Sequence, residues 1–176
     1  MTVLHAEATT SDQRGQPLTA ATLAERYRDV RAATEALAAP LTPEDCAIQS
    51  MPEASPVKWH LAHTSWFFET FVLAGADRAY HPFDPRFAYL FNSYYDAVGN
   101  RLPRSQRGQL SRPTLSDVYR YRAYIDGQML DLLESEGSSL PSAATVELGL
   151  HHEQQHQELV LTDIKHAFAS NPLRPA

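Results

Sequence analysis

Residues 114–132, TLSDVYRYRAYIDGQMLDL, predict an amphipathic helix and decide the fold class. Apolar residues recur in this stretch at steps of three and four, which is the spacing of one helix face. Thr114 suits the N-cap, and the carboxylate of Asp117 favours the positive end of the helix, which Gly137 closes. The predicted apolar face consists of Val118, Tyr121, Ile125, Met129 and Leu132.

Three further stretches carry the same helical periodicity. One runs over residues 19–39, one over 55–73 after the Ser55-Pro56 start, and one over 142–169. The predicted core face of the first consists of Leu23, Tyr27, Val30, Thr34 and Leu37. No segment shows sustained alternation of period two, so a sheet is not expected. Four helices of about 20 residues around one core predict an all-α protein, an up-and-down four-helix bundle.

The connection between the second and third helices, residues 76–113, is unusually long. Connections longer than about 15 residues are usually functional or disordered. This one is dense in aromatic residues, so we expect an ordered flap over one end of the bundle. Residues 1–18 are expected to form a flexible leader, and residues 19–176 the bundle.

Composition narrows the function classes. The chain has 176 residues, a formal net charge of −6 and 43% hydrophobic residues, as expected for one soluble domain. The negative net charge argues against nucleic-acid binding. The sequence contains no apolar run of about 18 residues, so no membrane-spanning helix is expected. A single cysteine, Cys46, excludes an internal disulfide, and its surroundings predict an inert thiol. No secretory signal is recognised, so a cytoplasmic location is expected.

Histidines form two clusters with metal-ligand spacing. His152 and His156 lie four residues apart, so on a helix turning about 100° per residue both imidazoles can reach one ion. His151 lies about 140° from His156 on the same helix and is expected to point elsewhere. A third ligand must come from another helix, where periodicity leaves His60 and His63 as equal candidates.

Three neutral imidazoles narrow the choice of metal. They disfavour Mg²⁺ and Ca²⁺ and leave Zn, Fe, Ni or Cu. The segment 152–156, His-Glu-Gln-Gln-His, also matches the zinc-protease pattern, in which Glu153 would be the base. We disfavour that interpretation because Leu159 and Thr162 stand where its extended form needs Gly and His, and no Glu follows Glu158.

Asp163 follows His156 by seven residues and so lies on nearly the same helix face. Its carboxylate fits two interpretations. It orients a ligand histidine by accepting a hydrogen bond, or it belongs to the polar surface.

Several motifs together resemble one family. They are SPVKWHLAHTSWFFE at 55–69, LFNSYY at 90–95, HHEQQHQE at 151–158 and LTDIKH at 161–166. This set is similar to the N-terminal DinB-like domain of the iron-dependent sulfoxide synthases of ergothioneine biosynthesis, the EgtB family. The resemblance extends over residues 20–176 and implies a DinB-like four-helix bundle.

The resemblance also implies site residues and a reaction. It assigns a non-haem Fe(II) to His63, His152 and His156, which chooses His63 on the second helix. The family joins cysteine or γ-glutamylcysteine to hercynine, with the substrate thiol on the iron and O₂ as co-substrate. Arg104 and Arg107, three residues apart, match the arginines that bind the thiol substrate's carboxylates.

Members of that family carry a second domain, similar to formylglycine-generating enzymes, which supplies a catalytic tyrosine. The present sequence stops where that domain would begin, so no catalytic residue is assigned and a C-terminal or partner domain in trans is expected. Two alternatives stay open. One is a stand-alone DinB-superfamily enzyme that uses Zn or Ni as a thiol-dependent transferase or isomerase. The other is a non-catalytic, metal-stabilised interaction module.

Overall fold

Four long helices dominate the computed structural model, which describes residues 19–76, 80–135 and 143–175. They are α1 (Ala20–Ala38), α2 (Val57–Phe68), α3 (Leu115–Glu134) and α4 (Ala143–Ser170). These described ranges contain no β-strand, and the all-α, DinB-like bundle prediction is confirmed. The predicted leader, 1–18, and the predicted stop at Gly137 lie outside the described residues.

Local sequence explains where the helices begin. Thr114 caps α3 as expected: its hydroxyl accepts from Asp117 N at 3.1 Å, and Asp117 Oδ2 accepts from Thr114 N at 2.9 Å. This reciprocal pair satisfies two backbone donors that a helix start otherwise leaves free. Thr19 caps α1 in the same way, accepting from Thr22 N at 3.2 Å.

The second helix is the central rod of the bundle. Every residue of Val57–Phe68 is buried, because the other three helices and the flap pack around it. The helix continues through one π-helical segment, Glu69–Leu73, and ends in a last turn, Ala74–Ala76. The predicted extent, to residue 73, therefore combines an α-helix with a wider turn.

The helices run up, down, down and up, whereas the sequence predicted a simple up-and-down order. Side-chain contacts show that α1 is parallel to α4 and that α2 and α3 are antiparallel to both. The pairs are Arg26–Glu147 and Arg31–Glu153 between α1 and α4, Arg28–Glu134 and Arg31–Asp126 between α1 and α3, and His60–His156 and His63–His152 between α2 and α4. Parallel neighbours need a long crossover connection, which residues 76–113 provide between α2 and α3.

The buried faces follow the predicted periodicity with small shifts. Four of the five predicted residues of α3 are fully buried, and Leu133 takes the place expected for Leu132, which is half-buried. On α1, the predicted positions Val30 and Leu37 are also half-buried. Their neighbours Arg31 and Ala38 face the core instead, which puts a charged side chain at a core position.

Residues 80–113, called the flap below, are ordered as predicted. The flap contains one short helix, Phe87–Phe91, and two 3₁₀ segments, Asp96–Val98 and Arg104–Gln109. Hydrogen bonds attach it to α2 and its extension: Trp59 Nε1 donates to Leu90 O at 2.9 Å, and Phe83 N donates to Glu69 Oε1 at 2.8 Å.

Within the described ranges, no helix combines the length and apolar character that a membrane crossing requires.

Candidate metal centre

Three histidines meet between α2 and α4. Because the two helices are antiparallel, His63 faces both His152 and His156, which are one turn apart on α4. One ring nitrogen from each residue lies within 4.8 Å of the others, and His63 Nε2 is 3.2 Å from His152 Nε2. His63 and His156 are buried and His152 is half-buried.

The flap fixes the ring of His63. His63 Nδ1 lies 2.6 Å from Phe91 O, and a carbonyl oxygen only accepts, so Nδ1 carries the proton. Nε2 then presents its lone pair to the cluster, as a metal-binding imidazole requires. The ring is also stacked on Trp59 and Trp66, at centroid distances of 4.5 and 5.5 Å.

His60 lies beside the cluster and has both ring nitrogens engaged. Its Nδ1 is 2.8 Å from His156 Nδ1, and its Nε2 is 3.1 Å from Asp163 Oδ2. Of the two candidates that periodicity left open on α2, His63 therefore has a ring nitrogen free to face the α4 pair. Asp163 contacts His60 and not His152 or His156, so it acts one residue further out than the sequence suggested.

The cluster favours neutral imidazoles. Burial lowers the pKa of His63 well below its usual range, and the neighbouring His152 adds to the effect. Burial also lowers the pKa of His156, with further contributions from the surrounding imidazoles, and it lowers the pKa of His152 to about 4. The neutral ring is the form that coordinates a metal.

The donor set fits a transition-metal ion. Two nitrogens bound at about 2.1 Å to one ion with angles of 90–109° lie about 3.0–3.4 Å apart. The 3.2 Å separation of His63 Nε2 and His152 Nε2 falls in that range. Three neutral nitrogens would leave coordination positions open and suit Fe, Zn, Ni or Cu better than Mg²⁺ or Ca²⁺.

The two predicted substrate-binding arginines line a cavity of about 890 Å³ whose lining residues all belong to the flap. Arg107 is buried, donates to Ser55 Oγ at 2.9 Å and to Ser93 Oγ at 3.2 Å, and lies 3.3 Å above the Trp59 ring. Arg104 Nε and Arg107 Nε are buried without a hydrogen-bond partner. Neither arginine forms an ion pair with a carboxylate among the described residues. The cavity lining holds Arg101, Arg104 and Arg107 but only the carboxylate of Asp96, which pairs with Arg101, so positive charge is in excess there.

Burial and, to a smaller extent, the adjacent Arg104 together lower the pKa of Arg107 to about 9. A guanidinium in this setting gains more from an anion than an exposed one does, because its own solvation has already been lost. The same Trp59 ring contacts Arg107 and His63, which places the positive cavity one aromatic ring away from the histidine cluster.

Glu153 does not face the cluster, although it follows His152 directly. Its carboxylate is fully buried and binds Arg31 Nη1 at 2.8 Å and Arg122 Nη2 at 3.0 Å. Burial alone would raise the pKa of Glu153, but the two guanidiniums outweigh it and lower the pKa. Glu153 is thus an ion-pair residue, and the disfavoured zinc-protease interpretation gains no support from its position.

Sequence reasoning missed both this ion cluster and the place of His60. A signal existed for the arginines, because Arg31 and Arg122 each lie four residues after a predicted core position of their helix. His151, by contrast, points away as predicted: it is exposed, and its one side-chain hydrogen bond among the described residues is to Gln154 Oε1, at 3.1 Å.

Comparison with known families gives a match over most of the chain. The model of the DinB superfamily matches residues 26–160, which include the three clustered histidines and both cavity arginines. No curated protein matches the sequence.

Proposed function

The chain belongs to the DinB superfamily, and from that membership we propose that it is the metal-binding domain of a non-haem iron(II)-dependent sulfoxide synthase. In this proposal His63, His152 and His156 hold the iron. The enzyme joins the sulfur of cysteine or γ-glutamylcysteine to hercynine with O₂, as in ergothioneine biosynthesis. A second domain, joined to this one or acting in trans, completes the hercynine side of the site.

One observation carries the proposal: an open set of three neutral imidazoles lies next to two arginines that have no carboxylate partner. A site for metal alone needs no buried positive charge beside it. A substrate with a thiol and carboxylates needs both the metal and the positive charge, because the thiol binds the metal and the carboxylates bind guanidinium groups.

The residues divide the work by position. Arg104 and Arg107 bind the carboxylates of the thiol substrate, and Trp59 spaces that anchor from His63. Once the arginines hold the substrate's carboxylates, its thiol reaches the metal within one complex, which avoids the entropic cost of bringing the two together from solution. Iron(II) with open coordination positions supplies the O₂-dependent oxidation when it is bound.

The metal assignment is tested by protein purified without oxygen, followed by metal analysis. We expect one iron per chain in the unaltered protein, none in His152→Ala, and an unchanged content in His151→Ala, whose ring faces solvent. Zinc or nickel retained in place of iron would contradict the sulfoxide synthase and favour the thiol transferase or isomerase. Equal metal loss in both variants would contradict the three-histidine site.

The arginine assignment is tested by replacing Arg104 with Met and measuring γ-glutamylcysteine binding to the metal-loaded protein by calorimetry. Losing a charged hydrogen bond costs about 1.5–3 kcal/mol, so we expect binding about 10-fold weaker or more, with metal content intact. Arg86→Met is the matched control, since the Arg86 side chain is 84% exposed and, among the described residues, pairs only with Asp84. Unchanged affinity in Arg104→Met would remove this residue from the substrate site.

A further inference from the structure

We infer that Asp163 and His60 are positioning residues that hold His156 in the tautomer whose Nε2 is free to bind a metal. The inference rests on the metal site of the proposed function, but its first test needs no metal. It concerns a chain of hydrogen bonds that reaches the cluster from its outer side and ends on His156.

The chain of hydrogen bonds begins at the Asp163 carboxylate. Asp163 Oδ2 accepts a hydrogen bond from Ser55 N at 2.9 Å, and His60 Nε2 lies 3.1 Å from the same oxygen. An ionised carboxylate has acceptors and no donor. The proton of the neutral His60 ring is therefore on Nε2, and its Nδ1 carries a lone pair.

The next hydrogen bond determines which nitrogen of His156 carries the proton. His60 Nδ1 and His156 Nδ1 are 2.8 Å apart, a distance that requires one proton between them. Since His60 Nδ1 is the acceptor, His156 Nδ1 is the donor. A neutral imidazole has a single N–H, so His156 Nε2 is left bare.

Burial of both rings favours this one arrangement of their protons. His60 is 2% exposed and His156 is 8% exposed, so water is not available to stabilise the alternative proton positions. Without an acceptor at residue 163, His60 can carry its proton on Nδ1 instead. His156 then accepts that proton's hydrogen bond and holds its own proton on Nε2, which blocks metal binding.

Two variants at residue 163 separate an acceptor from mere bulk. In Asp163→Asn the amide oxygen takes the place of Oδ2, because Ser55 N needs an acceptor there, and the tautomers are kept. In Asp163→Leu the side chain has similar size and no acceptor. We expect His156 to be Nδ1-protonated in the unaltered protein and in Asp163→Asn, and a mixture of tautomers in Asp163→Leu.

Nitrogen–proton correlation NMR of the metal-free proteins reads the His156 tautomer directly. Co²⁺ titration then measures affinity, which we expect to fall about 10-fold or more in Asp163→Leu and to change little in Asp163→Asn. Thermal unfolding of each variant shows whether it is folded. If Asp163→Leu does not fold, the His156 tautomer in the unaltered protein still tests the inference.

An Nε2-protonated His156 in the unaltered protein would overturn the inference, as would equal losses of Co²⁺ affinity in the two variants. Failure of the proposed function looks different. In that case the unaltered protein shows the expected tautomer and binds no metal ion, so the hydrogen-bond chain exists without the proposed site.

Discussion

Trp59 connects the parts of the site through three contacts of one side chain. Its indole N–H donates to Leu90 O of the flap at 2.9 Å, and its ring stacks on His63 at 4.5 Å and carries Arg107 at 3.3 Å. Arg107 on an aromatic face also gains a cation–π attraction, which partly replaces the water it has lost. A single residue thus sets the spacing between the flap, the cavity and the cluster.

How far the site could be predicted differs from one histidine to the next. His152 and His156 follow from helical periodicity, since both lie on one helix. His63 followed only from the family resemblance, because nothing local separates it from His60. The place of His60 depends on Asp163, which lies 103 residues away, and no pattern within one helix encodes a pairing between two helices.

Cys46 offers a test at the scale of one residue. Its side chain is fully buried, and burial, helped by the adjacent Asp45, raises its thiol pKa to about 11. The thiolate is the reactive form, and an exposed cysteine has a pKa of about 8.5, so at pH 8 we expect alkylation by iodoacetamide about 100-fold slower or more than in the unfolded chain. Mass spectrometry with and without urea measures this, and equal rates would contradict the burial.

At the scale of the helices, the starts of α1 and α3 and most core positions were predictable from the sequence, and the directions of the helices were not. Capping residues and apolar spacing are local signals, and Thr114 and the core face of α3 followed from them. The up, down, down, up order depends on which helices share a contact, and an apolar face is compatible with many neighbours. The parallel pair of α2 and α3 follows from where the flap crosses, which its length permits but does not specify.

A close helix contact at Gly149 is the element-scale test. A Cβ at Gly149 of α4 would lie 2.5 Å from Phe68 Cε1 and 3.0 Å from Phe67 Cε1, and Phe68 is fully buried. We expect Gly149→Ala to lower the free energy of unfolding by about 1–3 kcal/mol, because overpacking exceeds the gain in helix propensity.

Gly127→Ala on α3 is the matched control. Apart from its chain neighbours and the backbone of its own helix, no atom of the described residues lies within 4 Å of the added Cβ, and Gly127 is exposed. The same substitution should therefore stabilise by up to about 1 kcal/mol. Urea unfolding of the two metal-free variants gives both values. A stabilising effect at both glycines would show that α2 and α4 are not in close contact.

For the whole molecule, a buried ion cluster joins three of the four helices. Glu153 of α4 binds Arg31 of α1 and Arg122 of α3. Arg122 also donates to Leu61 O of α2 at 3.0 Å, so the fourth helix is included. Apolar packing can slide by a turn at modest cost, but displaced buried charges lose their partners. We interpret the cluster as the feature that sets the helix register, and hence the facing positions of His63 and His152.

Replacing Glu153 with Gln tests that interpretation in the metal-free protein. Two buried guanidiniums would lose their shared counter-charge, and breaking a buried pair costs about 3–5 kcal/mol, so a large fall in the free energy of unfolding is expected. Glu35→Gln is the control. It removes a carboxylate from the same Arg122, at 3.2 Å, but its side chain is 44% exposed, and such pairs are worth about 1 kcal/mol or less.

Acid should erase the difference between Glu153→Gln and the unaltered protein. The pKa of Glu153 is lower in the folded chain than in the unfolded chain, so its contribution is complete above its usual value of about 4.3. The contribution is lost as the pH falls through the folded pKa, when the carboxyl group becomes neutral like the amide. Urea unfolding between pH 7 and pH 3 measures this gap, the difference in the free energy of unfolding between Glu153→Gln and the unaltered protein. A gap that stays constant to pH 3 would mean that packing, and not charge, makes Glu153 stabilising.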